Sequence, residues 1–230
     1  YNIGIDSERG CNSMFVKEWM SRGLITVAPN ATLDEALKLM ETNKIRRLPV
    51  VDGGKLVGIV TDRDLMKVSP SPATTLSKYE LNYILEKIII KDIMSKKIYT
   101  INQNSTIEEA ALILFNEKIG GIPVVEDSGA IVGVITETDL FKAFVNIMGL
   151  TEGKTRFTLE VENKVGIVKE IAGVFSEAGI NISSMVTCHR DDDNIYELVI
   201  RANVDNTDAE IVKEKLSAKG FNVCHIAKIG

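Results

Sequence analysis

The chain has 230 residues, of which 45% are hydrophobic, and a formal net charge of −5, a composition typical of a globular protein. Lys and Arg are interleaved with Asp and Glu throughout, so no basic surplus exists to bind a nucleic-acid backbone, and we expect no nucleic-acid partner. Three cysteines, an odd number, do not form a disulfide framework and indicate a cytoplasmic protein. Apolar runs such as residues 88–90 are far shorter than the ~20 residues that cross a bilayer, so we expect no membrane partner.

An internal repeat organises most of the first two thirds of the sequence. Residues 17–51 match residues 91–125 at an offset of 74, which becomes 75 after a turn that is one residue longer in the second copy. An insertion confined to a turn is typical of two copies of one folded unit. Each copy is too small to bury enough apolar surface alone, so we expect the two copies to pack together. Residues 1–13 share no pattern with either copy and are interpreted as an N-terminal extension or a remnant of expression.

Each copy predicts a helix, a pair of strands and a second helix. In the first copy, apolar residues recur at helical spacing after Thr32, and strands at 48–51 and 56–61 flank the turn at 52–54. Hydroxyl residues followed by acidic residues predict where the helices begin, because the hydroxyl caps free N–H groups and the acids suit the positive end of the helix. The predicted N-caps are Thr32, Thr61, Thr106 and Thr136.

The last third has a different pattern, which begins after a linker at 149–153. The alternation of strand-like and helix-like segments predicts the order βαββαβ, a ferredoxin-like split unit. The predicted strands are 155–161, 182–189, 195–202 and 221–229, and the predicted helices are 165–179 and 208–219.

The two copies resemble the CBS domain family, whose members pair into a Bateman module. The resemblance rests on motifs that occur twice in register: a Leu/Ile-Pro-Val-Val strand, a Gly-Ile/Val-Val/Ile-Thr strand end, and Thr-x-x-Asp at 61–64 and 136–139. It implies a ligand that contains adenine, such as AMP, ATP or S-adenosylmethionine, whose ribose hydroxyls would bind Asp64 and Asp139. An alternative is that each Thr only caps its helix and each Asp interacts with the helix dipole, with nothing bound.

The two predicted pockets differ in charge. Arg46 and Arg47 precede the first Pro-Val-Val strand, whereas Gly120 and Gly121 occupy the aligned positions of the second copy. We therefore expect the first pocket to prefer a phosphorylated ligand and the second pocket to bind a less charged ligand. The alternative is that the two arginines are only solvated residues at a strand edge. The expected nucleotide-binding residues are Thr26, Arg46, Arg47, Leu48, Pro49, Thr61, Arg63, Asp64, Thr100, Gly120, Gly121, Ile122, Pro123, Thr136 and Asp139.

The last third resembles the ACT domain, a small-molecule sensor that often binds amino acids at paired interfaces. The resemblance rests on residues 161–166, on Ile171 and Phe175, and on residues 179–182. Residues 163–166 depart from the Asp-x-Pro-Gly sequence that is common in the family. An alternative is therefore that this domain binds no ligand and serves only for dimerisation. The expected ligand-binding residues are Asn163, Val165, Gly166, Asn181 and Ile182. The expected fold is therefore α+β, with the extension at 1–13, CBS domains at 14–78 and 79–150, and a ferredoxin-like ACT domain at 154–230.

Neither a metal site nor an enzyme active site is expected. The two histidines each follow a cysteine, at 188–189 and 224–225, but these pairs lie on strands predicted at opposite edges of the sheet. No Gly-rich phosphate loop or catalytic triad pattern is present, so we expect no catalytic cofactor. We expect a regulatory ligand sensor that forms a homodimer through its CBS and ACT regions and acts on a target protein. The order CBS, CBS, ACT resembles the acetoin utilisation proteins and implies a role in acetoin or carbon metabolism; the alternative is an oligomerisation adaptor without a ligand.

Overall fold

The computed structural model describes residues 14–69, 78–189 and 194–229. The expected N-terminal extension at 1–13 lies outside these residues. The chain divides into two compact units, of which the first ends at Leu140 and the second begins at Phe141.

The first unit contains both sequence copies as matching sets of helices and strands. In each copy an antiparallel hairpin has a register shift at the same place, between Val50 and Val51 in the first and between Val124 and Val125 in the second. The copies therefore share one backbone design. The elements are α1 Val16–Trp19, α2 Leu33–Asn43, β1 Arg47–Asp52, β2 Lys55–Thr61, α3 Asp62–Val68, α4 Lys78–Lys87, α5 Ile90–Ile93, β3 Ile101–Asn102, α6 Ile107–Glu117, β4 Gly121–Val125, β5 Ile131–Thr136 and α7 Glu137–Ile147, which continues into the second unit.

The predicted N-caps of the long helices are confirmed. Thr32 begins α2 with a capping box, since its hydroxyl accepts from the N–H of Glu35 while the Glu35 carboxylate accepts from the N–H of Thr32. Thr106 begins α6 with the same box. Both helices end in a left-handed lysine with φ of 53°, Lys44 and Lys118, so the two copies agree even at an uncommon backbone conformation.

Each copy completes its hydrophobic core with a segment that precedes the other copy in the chain. The short α1 packs on the second copy, where the Val16 N–H donates to the Ser105 carbonyl at 2.9 Å and its side chain is fully buried. The equivalent α5 packs on the first copy, where the Ile90 N–H donates to the Ala31 carbonyl at 2.9 Å. The expected domain bounds follow the chain order, whereas the packing crosses them. We refer to these two segments, 14–25 and 88–99, as the exchanged lead-ins.

The second unit has the predicted βαββαβ order. Its four strands form one antiparallel sheet in the order β7-β8-β6-β9, which confirms the ferredoxin-like arrangement and, with the first unit, the α+β class. The two helices pack on one face of the sheet, and the rings of Phe157 and Phe175 meet edge to face at 5.3 Å in this core. The elements are β6 Lys154–Glu162, α8 Ile167–Glu177, β7 Ile182–His189, β8 Ile195–Ala202, α9 Asn206–Ala218 and β9 Asn222–Ile229.

The exchanged lead-ins predict a crossed effect of core mutations. Ile90→Ala opens a cavity in the first copy and is expected to lower the free energy of unfolding by about 3 kcal/mol. Amide hydrogen exchange should then accelerate in the hairpin β1–β2. The matched variant Val16→Ala should instead accelerate exchange in β4–β5. Faster exchange confined to the sequence copy that follows each mutated residue would contradict the exchange of lead-ins.

Candidate ligand clefts of the repeat pair

The two Thr-x-x-Asp motifs adopt the same geometry at the starts of α3 and α7. The Thr61 hydroxyl donates to Asp64 Oδ2 at 2.7 Å and accepts from the Asp64 N–H, while the Thr61 N–H donates to the same carboxylate oxygen at 3.1 Å. Thr136 and Asp139 repeat these contacts at 2.7 and 3.0 Å. Each carboxylate is therefore held in a fixed orientation, and the helix-capping role considered as an alternative is present in both copies.

The two aspartates differ in exposure. The Asp139 residue is only 6% exposed, whereas the Asp64 side chain is 29% exposed and its Oδ1 lies 3.7 Å from Lys67 Nζ. Solvent therefore reaches the carboxylate of the first motif more readily than that of the second.

A cleft of about 570 Å³, which we call the Asp64 cleft, opens beside the first motif. Its volume lies in the range of small-molecule binding sites. Both copies and one exchanged lead-in contribute to its wall, which carries five cationic and four acidic side chains. The lining residues are Arg46, Arg47, Ile59, Thr61, Asp62, Arg63, Asp64, Ser95, Lys97, Ile98, Tyr99, Glu117, Lys118, Ile119, Gly120, Gly121, Pro123 and Glu137.

A second cleft of about 380 Å³, the Thr136 cleft, opens beside the second motif. The other exchanged lead-in forms one of its walls, as expected if the two copies are equivalent. Its lining includes Thr136 but not Asp139, and it shares Arg46, Arg47, Gly120 and Glu137 with the Asp64 cleft. The other lining residues are Ser21, Gly23, Leu24, Ile25, Lys44, Ile45, Val134 and Thr138.

The Arg47 side chain lies across the two glycines of the other copy. A Cβ atom on Gly121 would lie 2.5 Å from Arg47 Nη1, and a Cβ atom on Gly120 would lie 2.7 Å from Nη2. Glycine at both positions therefore leaves the space that the guanidinium occupies. Burial lowers the pKa of Arg47, and the nearby carboxylates of Glu137 and Asp62 oppose this effect. The group stays charged, because an arginine pKa lies far above neutrality.

This contact changes the expected division of charge between the pockets. Arg46 and Arg47 were assigned to one pocket, and Gly120 and Gly121 to the other. The structure instead brings all four residues to the wall of the Asp64 cleft, because β1 and β4 begin side by side. The arginines and Gly120 reach the Thr136 cleft as well.

Among the side chains of the Asp64 cleft that the sequence did not indicate, Lys97, Tyr99 and Glu117 contact one another. The Tyr99 hydroxyl hydrogen-bonds to the Glu117 carboxylate, and Lys97 Nζ lies 3.6 Å from that carboxylate and 4.9 Å from the centroid of the Tyr99 ring. The hydrogen bond with Tyr99 and the charge of its hydroxyl group raise the pKa of Lys97, and the charge of Glu117 adds to this effect. Lys97 and Tyr99 belong to an exchanged lead-in, so their place in this cleft could not be inferred from a pocket built within one copy.

Several predicted nucleotide-binding residues lie outside both clefts. Thr26 lines a different groove beside α2, and Thr100 lines another between the two hairpin turns. Leu48 and Ile122 are fully buried in the cores of the two copies. Pro49 is buried as well, whereas Pro123 and the exposed Arg63 do line the Asp64 cleft.

The predicted ligand residues of the second unit surround the start of α8. Gly166 is the N-cap of this helix and has φ of 92°, a conformation that favours glycine. The Val165 side chain is fully exposed, and the Asn163 N–H donates to the Asn194 carbonyl at 2.9 Å. Asn181 is exposed, whereas the partly buried Ile182 packs against the core.

Residues 14–69, 78–189 and 194–229 contain neither a cluster of metal ligands nor a membrane-spanning helix. No three His, Cys, Asp or Glu side chains in these ranges are grouped closely enough to hold a metal ion. No helix there combines the length and the apolar character needed to cross a bilayer. Cys188 and Cys224 lie on β7 and β9, the two edge strands, as their place in the predicted sheet requires.

Comparison with known sequences identifies both units. The CBS domain family matches residues 16–71 and 90–146, and a CBS domain-containing protein of Dictyostelium discoideum is 36% identical over 136 residues, which are 59% of this chain and 94% of that protein. The chain belongs to the CBS domain family. The ACT domain family matches residues 155–221, so an ACT domain follows the CBS pair.

Solved structures resemble the CBS pair. Protein MJ1225 of Methanocaldococcus jannaschii superposes with a TM-score of 0.50 at 30% identity; the match covers 57% of this chain and 48% of that protein. The chain thus spans about half the length of MJ1225. The CBS pair of protein MJ0100, solved in complex with 5′-methylthioadenosine and S-adenosyl-L-methionine, has a TM-score of 0.48 at 31% identity; the match covers 57% of this chain and 96% of that pair.

The Thr–Asp contacts should contribute to stability without any ligand. Thr61→Val and Thr136→Val each remove a capping hydroxyl and are expected to lower the free energy of unfolding by about 1 kcal/mol in urea titrations. Thr42→Val, at an exposed position of α2, is the matched control, because valine and threonine have similar helix propensity. Losses equal to that of the control would show that the hydroxyls do not hold the helix starts.

Proposed function

We propose that this protein is a regulatory sensor whose CBS pair binds an adenine-containing ligand in the Asp64 cleft. One observation carries the proposal: a fixed carboxylate and a set of cations face one cavity of ligand size. A carboxylate accepts hydrogen bonds from the two hydroxyls of a ribose, and guanidinium groups bind phosphate through paired N–H donors. These groups suit a phosphorylated nucleoside, and membership of the CBS domain family favours adenine as its base, as in AMP or ATP.

Within this cleft, we assign the ribose to Asp64 and the phosphate to Arg46 and Arg47. Asp64 is oriented by Thr61 through its Oδ2 atom and is the more exposed of the two motif aspartates. Arg47 lies near the acidic groups of Glu137 and Asp62. A bound phosphate would give the Arg47 guanidinium a direct anionic partner in addition to these two carboxylates. Gly120 and Gly121 leave the space for this guanidinium beside the ligand.

The Thr136 cleft is proposed to hold a second, smaller ligand such as adenosine. Charge does not separate the two clefts, because Lys44, Arg46 and Arg47 all line the smaller one. Size does separate them, since the volumes are about 380 and 570 Å³.

The ACT domain is proposed to bind an amino acid or another small molecule at the start of α8. The left-handed Gly166 begins a helix whose first N–H groups have no side-chain cap, an arrangement that suits a carboxylate. Residues Asn163, Val165 and Asn181 would surround such a ligand. If the domain serves only for dimerisation, calorimetry should detect no amino-acid binding to the unmodified chain or to the Gly166→Ala variant. Binding to the unmodified chain that is weaker in Gly166→Ala would support the ligand site.

A homodimer is part of the proposal. Leu112 and Phe115, one helical turn apart on α6, are 60% and 80% exposed, and such apolar side chains favour contact with a second copy. The cytoplasmic location, a target protein and a role in acetoin or carbon metabolism stay predictions, because none of the side chains described above encodes them.

Removal of the two arginines should weaken phosphate recognition selectively. The double variant Arg46→Ala, Arg47→Ala is expected to bind AMP about 10- to 100-fold more weakly in calorimetry, because charge-assisted hydrogen bonds to the phosphate are lost. Its adenosine affinity should change little, and the dependence of AMP affinity on salt should decrease. Arg22→Ala, which removes an exposed arginine outside both clefts, is the control.

Two results would contradict this assignment. An equal loss of AMP and adenosine affinity would indicate a general disruption of the fold, and unchanged AMP affinity would leave the arginines as solvated strand-edge residues. If adenine nucleotides, S-adenosylmethionine and amino acids all failed to raise the melting temperature of the unmodified chain, the adaptor without a ligand would be favoured.

The dimer is tested on α6. Phe115→Glu should lower the sedimentation coefficient toward that of a monomer at micromolar concentration, because a charge would be buried in the contact. Val165→Glu, at a fully exposed apolar position outside α6, is the control. A dimer that survives Phe115→Glu, or a monomeric unmodified chain, would rule out this surface.

A further inference from the structure

The face of the ACT sheet opposite its helices carries two paired arginines. Phe157 and Ile200 point to the helices and belong to the core, so residues one position away along each strand point to the opposite face. On that face Arg156 of β6 lies directly beside Arg201 of β8 in the strand register. Thr158, two residues along β6, shares the same face.

These three side chains contain buried polar atoms that have no hydrogen-bond partner. Arg201 is only 7% exposed, and its Nε and Nη1 atoms lack an acceptor, as does Arg156 Nε. The hydroxyl oxygen of Thr158, a residue that is also 7% exposed, has no partner either. Buried polar groups are nearly always hydrogen-bonded, so a cluster of unpaired donors requires a specific explanation.

The charges at this place are unbalanced. Like charges directly opposite each other on neighbouring strands are unfavourable. Glu197 lies 3.4 Å from Arg156 Nη2, but no carboxylate of residues 14–69, 78–189 or 194–229 forms an ion pair with Arg201. Burial and the charge of Arg156 both lower the pKa of Arg201, in agreement with a cation that lacks an anionic partner.

We propose that Arg156, Arg201 and Thr158 form a binding site for the carboxylate or phosphate group of a small molecule on this sheet face. The anion would accept from the unpaired guanidinium N–H groups and from the Thr158 hydroxyl. Two planar guanidinium groups side by side suit such multi-point recognition better than lysines would.

Small side chains lie beside the two arginines on the neighbouring strands. In the strand register, Ser184 is the neighbour of Arg201 on β7, and Ala227 is the neighbour of Arg156 on β9, so small side chains flank the arginines on both sides. The Ser184 hydroxyl donates to the Met148 carbonyl at 3.4 Å, so the chain just before β6 runs along one edge of the site. Gly166 lies beyond the far end of β6, roughly 20 Å of extended strand away, so this site is distinct from the start of α8.

The test uses the 230-residue chain with Arg46→Ala and Arg47→Ala, so that anions cannot bind through the arginines of the CBS clefts. Nitrogen-15 NMR follows the Nε–Hε signals of the arginines during titration with sodium phosphate and, separately, with sodium acetate at constant ionic strength. The signals of Arg156 and Arg201 should shift and saturate with at least one anion. The anion that binds more tightly identifies whether phosphate or carboxylate is recognised.

Variants separate binding from a structural role. Arg201→Met should weaken anion binding at least about tenfold, yet it should melt at the same or a higher temperature than its parent in anion-free buffer, because an unpaired buried charge is removed. Lys228→Met removes an exposed cation at a position of β9 paired with Thr155 and should leave binding unchanged.

Three outcomes would overturn the proposal. The first is a shift that stays linear with anion concentration or is equally affected by Lys228→Met, which indicates an adventitious ion only. The second is a lower melting temperature of Arg201→Met without anion, which indicates that Arg201 is satisfied in the folded chain. The third is a change of sedimentation coefficient in Arg201→Met with no anion binding in its parent, which indicates that a second copy of the chain covers this face.

Discussion

The exchange of lead-ins between the two copies is the contact on which the rest of the CBS pair depends. Val16 belongs to the hydrophobic core of the second copy, and Ile90 belongs to that of the first. Each core is therefore completed by the lead-in that precedes the other copy in the chain. Because a unit of about 60 residues buries too little apolar surface for independent stability, this exchange joins the two copies into one folding unit. It also places a lead-in against each Thr-x-x-Asp motif, and the clefts form between them.

The clefts combine a stabilising contact with a recognition element. A Thr–Asp cap satisfies N–H groups that every helix start leaves unpaired, and it holds one carboxylate in a fixed rotamer at the wall of a cavity. A ligand that binds this carboxylate does not need to order it first, which lowers the entropic cost of binding. Arg47 adds a cation that reaches both clefts, so occupancy of one cleft can change the charge available to the other.

Most elements of the fold follow from local sequence rules. The caps at Thr32, Thr61 and Thr106, the hairpins and the βαββαβ order of the last third were predicted because helix starts and strand alternation are encoded by neighbouring residues. The Thr-x-x-Asp pairs could also be recognised locally, because the Thr and the Asp that contact each other are only three residues apart in the sequence.

Contacts between distant segments could not be read in the same way. The repeat showed that two copies pack together, but nothing local indicates that Tyr99 and Lys97 join the cleft of the preceding copy. The contact of Arg47 with Gly121 likewise depends on how β1 and β4 lie beside each other. The pairing of Arg156 with Arg201 required the strand register, because alternation alone predicts the face of each residue but not its neighbour.

A crystal structure of the 230-residue chain grown with AMP would test the central claim most directly. The account predicts electron density for AMP in the Asp64 cleft, with both ribose hydroxyls within hydrogen-bond distance of the Asp64 carboxylate and phosphate oxygens within about 3 Å of the Arg47 guanidinium. AMP bound at another surface, or AMP in this cleft with its phosphate directed away from Arg46 and Arg47, would contradict it.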